Sequence, residues 1–464
     1  MMARPVSRGS IVSRRRALSS KASRVAGVAA CGVMLMSGCS SGDDASTTSN
    51  TQTTAATGRE LLILTAYPDA DAKGFESTLK RFEDATGIRV RVRGAGGNFV
   101  DQLYDPAVQS QVDVAVFPQP GVMATMARAG TVKPIPANLV DEAEDSVWPA
   151  LAKVGEVDGV DYAIPVRAWV SLGVVYRSDV FAANGWTYPT TWDGFEQLTA
   201  KIKASGTTPW CIGAGAGGAT GWALTTLVEE YVNAHGGPSP AEVTNAWIAH
   251  RLTANDPVVK DAIAWVAKLM QQPGWSTPTG QKILSTPVEK SHDPLFADPP
   301  GCVIAPAYNF IAGGYPKNWE SITEFAQFPL AAGSSRAVRG GPDLAAAFND
   351  KPDTQKLIEF LATTDDYGIE WARAGGYFSP KRGVGVSTYP GRGERFSVTV
   401  METAGALVPD ATDSMPAAVG SASYWKGLSS LANPKTPLKK AIATIESGWV
   451  GVPATQSPPG SSAP

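Results

Sequence analysis

Glu60-Leu61-Leu62-Ile63-Leu64-Thr65-Ala66 is a short apolar run with no polar alternation. Such a run reads as a strand covered on both faces, the pattern of an internal strand in a parallel sheet. Downstream, Phe75, Leu79 and Phe82 recur at i, i+4 and i+7, one face of a helix. Gly87 stands where a left-handed residue would close that helix. Ile88, Val90 and Val92 then alternate with Arg89, Arg91 and Arg93, a strand with one polar face. A second helix is expected over 100–109. Val112-Asp113-Val114-Ala115-Val116-Phe117 is another buried strand, ended by Pro118. Strand, helix, strand, helix, strand spells an α/β chain with a wound, mainly parallel sheet. Ligands meet such sheets at the carboxyl ends of the strands, here Ala66-Tyr67-Pro68-Asp69 and Phe117-Pro118-Gln119-Pro120-Gly121.

The same alternation continues. Tyr162 to Trp169 leads into a strand at Leu172 to Tyr176, and Trp192 to Lys203 has helical spacing, with Asp193 and Glu196 near its start. Residues 207–222 form a Gly-rich loop. Helices are expected over 221–234 and 257–270, at 355–361 and 367–374, and near 415–431 and 437–445. Cys302 to Ala305 is a brief apolar run after Pro299-Pro300-Gly301. No period in the solenoid range is visible. From residue 451 the chain turns Pro/Ser/Gly-rich, and the tail 451–464 is expected to be disordered.

Before residue 59 the chain has a different character. It is arginine-rich, then apolar from Val25 to Met36, and reaches Leu35-Met36-Ser37-Gly38-Cys39-Ser40-Ser41-Gly42. Small residues ending in Cys after an apolar segment look like a lipobox, with Met36 where Leu is more usual. On that reading residues 1–38 are a signal peptide, Cys39 is lipidated, and 39–58 is a polar tether too poor in apolar residues to fold. An ordinary secretory leader is the alternative. The apolar segment is far shorter than the ~20 residues that span a bilayer. Ser13-Arg14-Arg15-Arg16-Ala17-Leu18 also resembles a twin-arginine signal, so the export route stays open. Either route places the protein outside the cytoplasm, and lipidation would hold it at the extracellular face of the cell membrane.

The whole chain of 464 residues has 40 basic and 43 acidic side chains, and the leader contributes seven of the basic ones and no acid. Without the leader the net charge is near −10, which argues against a nucleic-acid or other polyanionic partner. Four cysteines are present. Cys31 leaves with the leader and Cys39 takes lipid, so Cys211 and Cys302 remain as an even pair in an oxidising compartment and are expected to be bonded. Three histidines and no Cys/His cluster argue against a metal site, and no cofactor is expected. There is no G-x-S-x-G, H-E-x-x-H or P-loop and no recognisable carboxylate pair, so no enzyme is expected.

In this order of elements four stretches stand out: Phe82-Glu83-Asp84-Ala85-Thr86-Gly87-Ile88-Arg89-Val90, Asp113 to Gly121, Asp158-Gly159-Val160-Asp161-Tyr162-Ala163-Ile164-Pro165-Val166, and Gly375-Gly376-Tyr377-Phe378-Ser379-Pro380-Lys381. Together, across 59–450, they resemble the extracellular solute-binding proteins of bacterial ATP-driven importers, in the carbohydrate, maltose-binding-protein-like class. Trp210-Cys211-Ile212-Gly213 with Ala219-Thr220-Gly221-Trp222, and Pro299-Pro300-Gly301-Cys302, further resemble an actinobacterial α-glucoside-type branch, in which the two cysteines form a disulfide. The chain departs from that branch at Gly213-Ala214-Gly215-Ala216-Gly217-Gly218 and Ala223-Leu224-Thr225, where acidic residues are common, and at Arg167.

The resemblance implies a two-lobed periplasmic-binding-protein fold, each lobe a mixed, mainly parallel sheet with flanking helices. The N-lobe would be 59–166 and 342–391, the C-lobe 167–341 and 392–450, with crossovers near 166, 341 and 391. A monomer is implied that closes on a sugar of oligosaccharide or α-glucoside type and hands it to membrane permease subunits. Sugar sites need aromatic faces for the ring and polar groups for the hydroxyls. The candidates are Tyr67, Asp69, Gln119, Arg167, Trp169, Trp222, Tyr308, Asp343 and Tyr377. The same fold binding a glycerophosphodiester, a polyamine or another polar solute stays open, and Arg167 favours the phosphodiester among these.

Overall fold

A computed structural model describes residues 59–403 and 407–452. The leader, Cys39, the tether to residue 58 and the tail from 453 lie outside the described residues. In chain order the strands are β1 (Glu60–Thr65), β2 (Arg89–Gly94), β3 (Val114–Phe117), β4 (Glu156–Val157), β5 (Val160–Asp161), β6 (Ala163–Arg177), β7 (Trp210–Cys211), β8 (Ser276–Thr277), β9 (Ile304–Tyr308), β10 (Thr323–Ala326), β11 (Val338–Ala347) and β12 (Leu407–Val408). Ten of them make one mixed sheet, ordered β2-β1-β3-β11-β6-β9-β7-β8, with β12 beside β11 and β10 beside β6.

The unbroken apolar run of β1 has its reason in this arrangement. Leu61 and Ile63 enter one core with Phe75, Phe82 and Ile88, whereas Leu62 and Leu64 enter another with Phe99, Phe117 and Val122. Helices cover both faces, so no position on β1 calls for a polar residue. β1 pairs in parallel with β2 on one side and β3 on the other. On the edge strand β2, Val90 is buried, while Arg89 and Arg91 reach Glu60 at 3.7 and 3.4 Å. Charge on an exposed edge discourages pairing with another chain. The preceding helical stretch is divided at Leu79 into Asp69–Thr78 and Lys80–Thr86, and Gly87 closes the second with φ 68°.

β6 is a single strand of 15 residues, where the sequence suggested separate pieces. Its first part pairs antiparallel with β11, Arg167 opposite Asp343 and Trp169 opposite Gly341. Its second part pairs with β9 and β10. It is buried almost throughout, so period-two alternation was not available to mark it. β6 and β11 thus run out of the half built on β1–β3 and into a second half. There Trp192, Phe195, Trp210, Leu227, Trp247 and Trp265 share a core with the helices Trp222–Ala234 and Pro257–Gln271. This is an α/β fold of the two-lobed type. Cys211 and Cys302 are joined by a disulfide, Cα–Cα 5.5 Å, fastening β7 to the approach of β9.

Two helix expectations are corrected. The stretch 100–109 breaks into Phe99–Tyr104 and Pro106–Gln109, because Pro106 cannot continue a helix and Asp105 caps the second piece by accepting from Ala107 N at 2.9 Å. The stretch 415–431 is a wide π turn over Val419–Tyr424 followed by Trp425–Ser430, with Gly420 pressed against the Thr412 carbonyl. No helix among the described residues is long and apolar enough to cross a membrane.

Candidate functional site

β3 and β11 are antiparallel neighbours, so the parallel run of β2, β1 and β3 ends at this point of the sheet. A cleft of about 200 Å³ opens there, at the carboxyl end of β3. Pro118 and Pro120 form one wall, and the Trp169 ring and the Gly340-Gly341-Pro342 segment form the floor. The lining is completed by Asn245, Ile248, Pro409, Asp410 and Ser414, in segments beside the second core, and by Leu407 on β12, which packs on the first. Asp410 is the only charged residue among these lining residues. An aromatic and proline surface with a few convergent polar groups suits a small polar solute.

Residues at i and i+2 share one face of a strand. Arg339, Gly341 and Asp343 therefore point the same way from β11, and Arg167 and Trp169 stand beside them on β6. Gly341 leaves the gap between two charged neighbours, and that gap is the cleft floor. On one side of it lies Arg339, its side chain 1% exposed. Its Nη1 donates to Asp410 Oδ2 at 2.7 Å and Glu229 Oε2 at 2.9 Å, and its Nε donates to Glu230 Oε1 at 3.1 Å. The guanidinium lies 5.2 Å from the Trp169 ring and 6.0 Å from Tyr308, and its Nη2 has no protein partner. Thr412 closes the network, donating from its hydroxyl to Glu229 at 2.8 Å.

Burial works against the charge on Arg339, but Glu229, Glu230 and Asp410 outweigh it and hold the guanidinium above its usual range. Burial, reinforced by Asp410, pushes the Glu229 carboxyl well up, and burial with Asp410 and Glu229 does the same to Asp413. Crowding of the acids raises both groups together, and Arg339 fixes Asp410 at the cleft wall.

On the other side of Gly341 is a closed cluster that brings together four of the expected residues. Tyr67 donates to Asp343 at 2.9 Å. Arg167 donates to Asp71 at 3.0 Å and to the Gly376 carbonyl at 2.8 Å, with its guanidinium 5.0 Å from the Tyr67 ring and 4.9 Å from Trp371. Tyr377 donates to the Val166 carbonyl at 3.0 Å and stacks on Trp371 at 4.7 Å. All four are buried, and none is among the residues lining the cleft. Trp169 lines it directly. Trp222 and Tyr308 meet at 5.9 Å, with Phe310 stacked on Tyr308 at 5.3 Å, behind Arg339. Gln119 lies between the two lining prolines, its Oε1 buried and without a partner. Asp69 is exposed at the first turn of its helix, where a carboxylate suits the dipole.

Arg339, Glu229, Glu230 and Asp410 were not singled out from the sequence. A signal did exist: Glu229 and Glu230 are adjacent in the middle of a helix that has no other charged residue and is buried nearly all round. Two carboxylates in such a setting require a buried cation.

The family model of the bacterial extracellular solute-binding proteins matches residues 68–285. The osmoprotective compounds-binding protein GgtB of Synechocystis sp. is 32% identical over 377 residues, 80% of this chain and 88% of that protein. The alpha-glucosides-binding periplasmic protein AglE of Rhizobium meliloti is 27% identical, covering 84% of this chain and 87% of that protein. Among solved structures, a chitin oligosaccharide binding protein superposes with a TM-score of 0.71 at 17% identity, over 84% of this chain and 98% of that one. With its two-lobed sheet and a cleft at the switch point, the chain belongs to the bacterial extracellular solute-binding protein family.

Proposed function

We propose that this protein is the sugar receptor of a bacterial ABC importer, taking a solute into the cleft between its halves and presenting the closed form to a membrane permease. Members of this family work outside the cytoplasm as non-catalytic binding proteins. The observation that carries the sugar reading is the cleft itself. The indole of Trp169 offers a face for the C–H side of a sugar ring, while Asp410, held in place by Arg339 at 2.7 Å, offers acceptor lone pairs to hydroxyls. A relative named for alpha-glucosides supports the same class.

Within this reading an α-glucoside type of solute, a lipid anchor at Cys39 on the outer face of the membrane and a monomeric state are parts of the proposal. So are the lobe divisions, 59–166 with 342–391 and 167–341 with 392–450. Of the expected contact residues, Trp169 would meet the ring directly. Tyr308 and Trp222 would back Arg339, and Gln119 would border the proline wall. Tyr67, Arg167, Asp343 and Tyr377 would shape the neighbouring hinge cluster, and Asp69 would sit at the outer edge. Arg167 is engaged by Asp71 and Gly376, so it no longer favours a phosphodiester.

Calorimetric titration with maltose, trehalose, sucrose, glycerophosphocholine and spermidine tests the proposal. Saturable binding of at least one sugar is expected. Asp410→Asn should weaken it by about 1.5–3 kcal/mol, the worth of a hydrogen bond to a charged group. Asn245→Ala, at an exposed lining position, should weaken it less while leaving the fold intact. Binding of glycerophosphocholine or spermidine alone would overturn the sugar reading.

A further inference from the structure

Two glycines lie where the backbones of the two halves touch. Gly97 follows β2 beside Phe99 of the first core, and it meets Ala216, which packs on the core of the second half. A Cβ on Gly97 would overlap the Ala216 carbonyl oxygen. Around this point Gly218 N donates to Asn98 Oδ1 at 3.4 Å, and a Cβ on Gly218 would lie 3.0 Å from the Gly97 carbonyl. Gly121 is in the first turn of the helix Pro120–Arg128, directly after the proline wall of the cleft. A Cβ there would overlap the Met415 carbonyl oxygen and lie 2.7 Å from its carbon and 2.8 Å from that of Ser414. Met415 belongs to the core of the second half, and Ser414 lines the cleft.

Neither glycine has a positive φ. Local conformation therefore does not require glycine at either position, and at 121 an alanine would be the better helix former. What requires glycine is the approach of the opposite half. The two contacts are also separated along one edge of the sheet, Gly97 beyond β2 and Gly121 beyond β3, with β1 between those strands. Two contacts spaced in this way limit twisting as well as bending of the joint, which a single contact would not.

We infer that Gly97 and Gly121 form a closure seam, a pair of backbone-to-backbone contacts that lets the halves shut over the cleft and that any side chain at either position would hold ajar. The inference rests on the reading of the chain as a closing receptor. The seam acts on the equilibrium between open and shut forms, and neither glycine lines the cleft. A solute gains affinity from the shut form in proportion to the population of that form, so a seam that cannot meet lowers apparent affinity with the contacts to solute unchanged.

The test places spin labels on Ser77→Cys and Lys439→Cys, exposed positions on helices of opposite halves. Pulsed dipolar distances are then measured in the labelled parent, Gly97→Ala, Gly121→Ala and Gly383→Ala. Gly383 has open space around its Cβ position and serves as the control. Each sample is measured free and with saturating trehalose. The expected result is a short-distance population in the parent and in Gly383→Ala that both seam variants lose, with the melting temperature of Gly121→Ala unchanged or raised. Where trehalose binds the parent, its affinity for the seam variants should fall about tenfold or more. A short-distance population equal to the parent's in both seam variants overturns the inference, as does a parent that never shows one. A parent that shows the short distance without responding to trehalose, and loses it in the variants, supports the seam and counts against trehalose as the solute.

Discussion

Asp343 carries a carboxyl group in a place that disfavours its charge. Burial pushes it up to about 6, against the partial relief of Arg167 and of the Tyr67 hydroxyl. The folded chain thus keeps a proton that the unfolded chain, with the ordinary value of 3.8, has already released. The sign follows: this group's contribution to stability is fully present below about pH 4 and is lost as pH rises through about 6. At 1.36 kcal/mol per unit the loss is at most roughly 3 kcal/mol. Asp343→Asn removes the titration and keeps an acceptor for Tyr67. Urea midpoints from about pH 4 to about pH 6.5 should therefore fall less in the variant than in the parent, and parallel curves would refute the assignment. Legibility at this scale was uneven. Gly87 as a helix terminator could be read because only its own φ was at issue. The partners of Arg167 could not, since Asp71 and Gly376 reach it from distant parts of the chain.

The β7 segment is only Trp210–Cys211, and it holds its place through Trp210, which is fully buried, and through the disulfide to Cys302. The two cysteines are 91 residues apart, and closing a loop of that length removes about 4–5 kcal/mol of chain entropy from the unfolded state. Replacing both by alanine should lower the melting temperature by several degrees, and reductant should do the same to the parent and nothing to the double variant. Equal melting of the parent with and without reductant would count against this. Among the elements, β1 and β3 were legible as short apolar runs bounded by polar residues or proline, and β2 and most helices by a repeat of 2 or 3.6 residues. β6 was read in parts because a strand buried along its length has no alternation. The π turn at Val419–Tyr424 is set by contact with Thr412, which no local pattern records.

The two halves share β6 and β11, so they are joined by sheet as well as by loops. A chain connected in this way should unfold as one unit. Tryptophan fluorescence, to which Trp186, Trp192, Trp210, Trp247, Trp265 and Trp275 of the second core contribute, should follow the same urea curve as backbone circular dichroism. Separated midpoints would show that the halves unfold independently. One wall of the cleft was foreseeable from the rule about carboxyl ends, which pointed to Pro118, Gln119 and Pro120. The opposite wall was not, because Asn245, Asp410 and Ser414 come from segments that only the folded chain brings together.

Gly341 lies opposite Trp169 at the point where β6 and β11 pass from one half to the other. On the proposed reading, a solute resting on that floor would touch the ribbon that joins the two halves. Occupancy and shape would then be registered by the same few peptide units, so news of a captured molecule would need no relay to reach the joint.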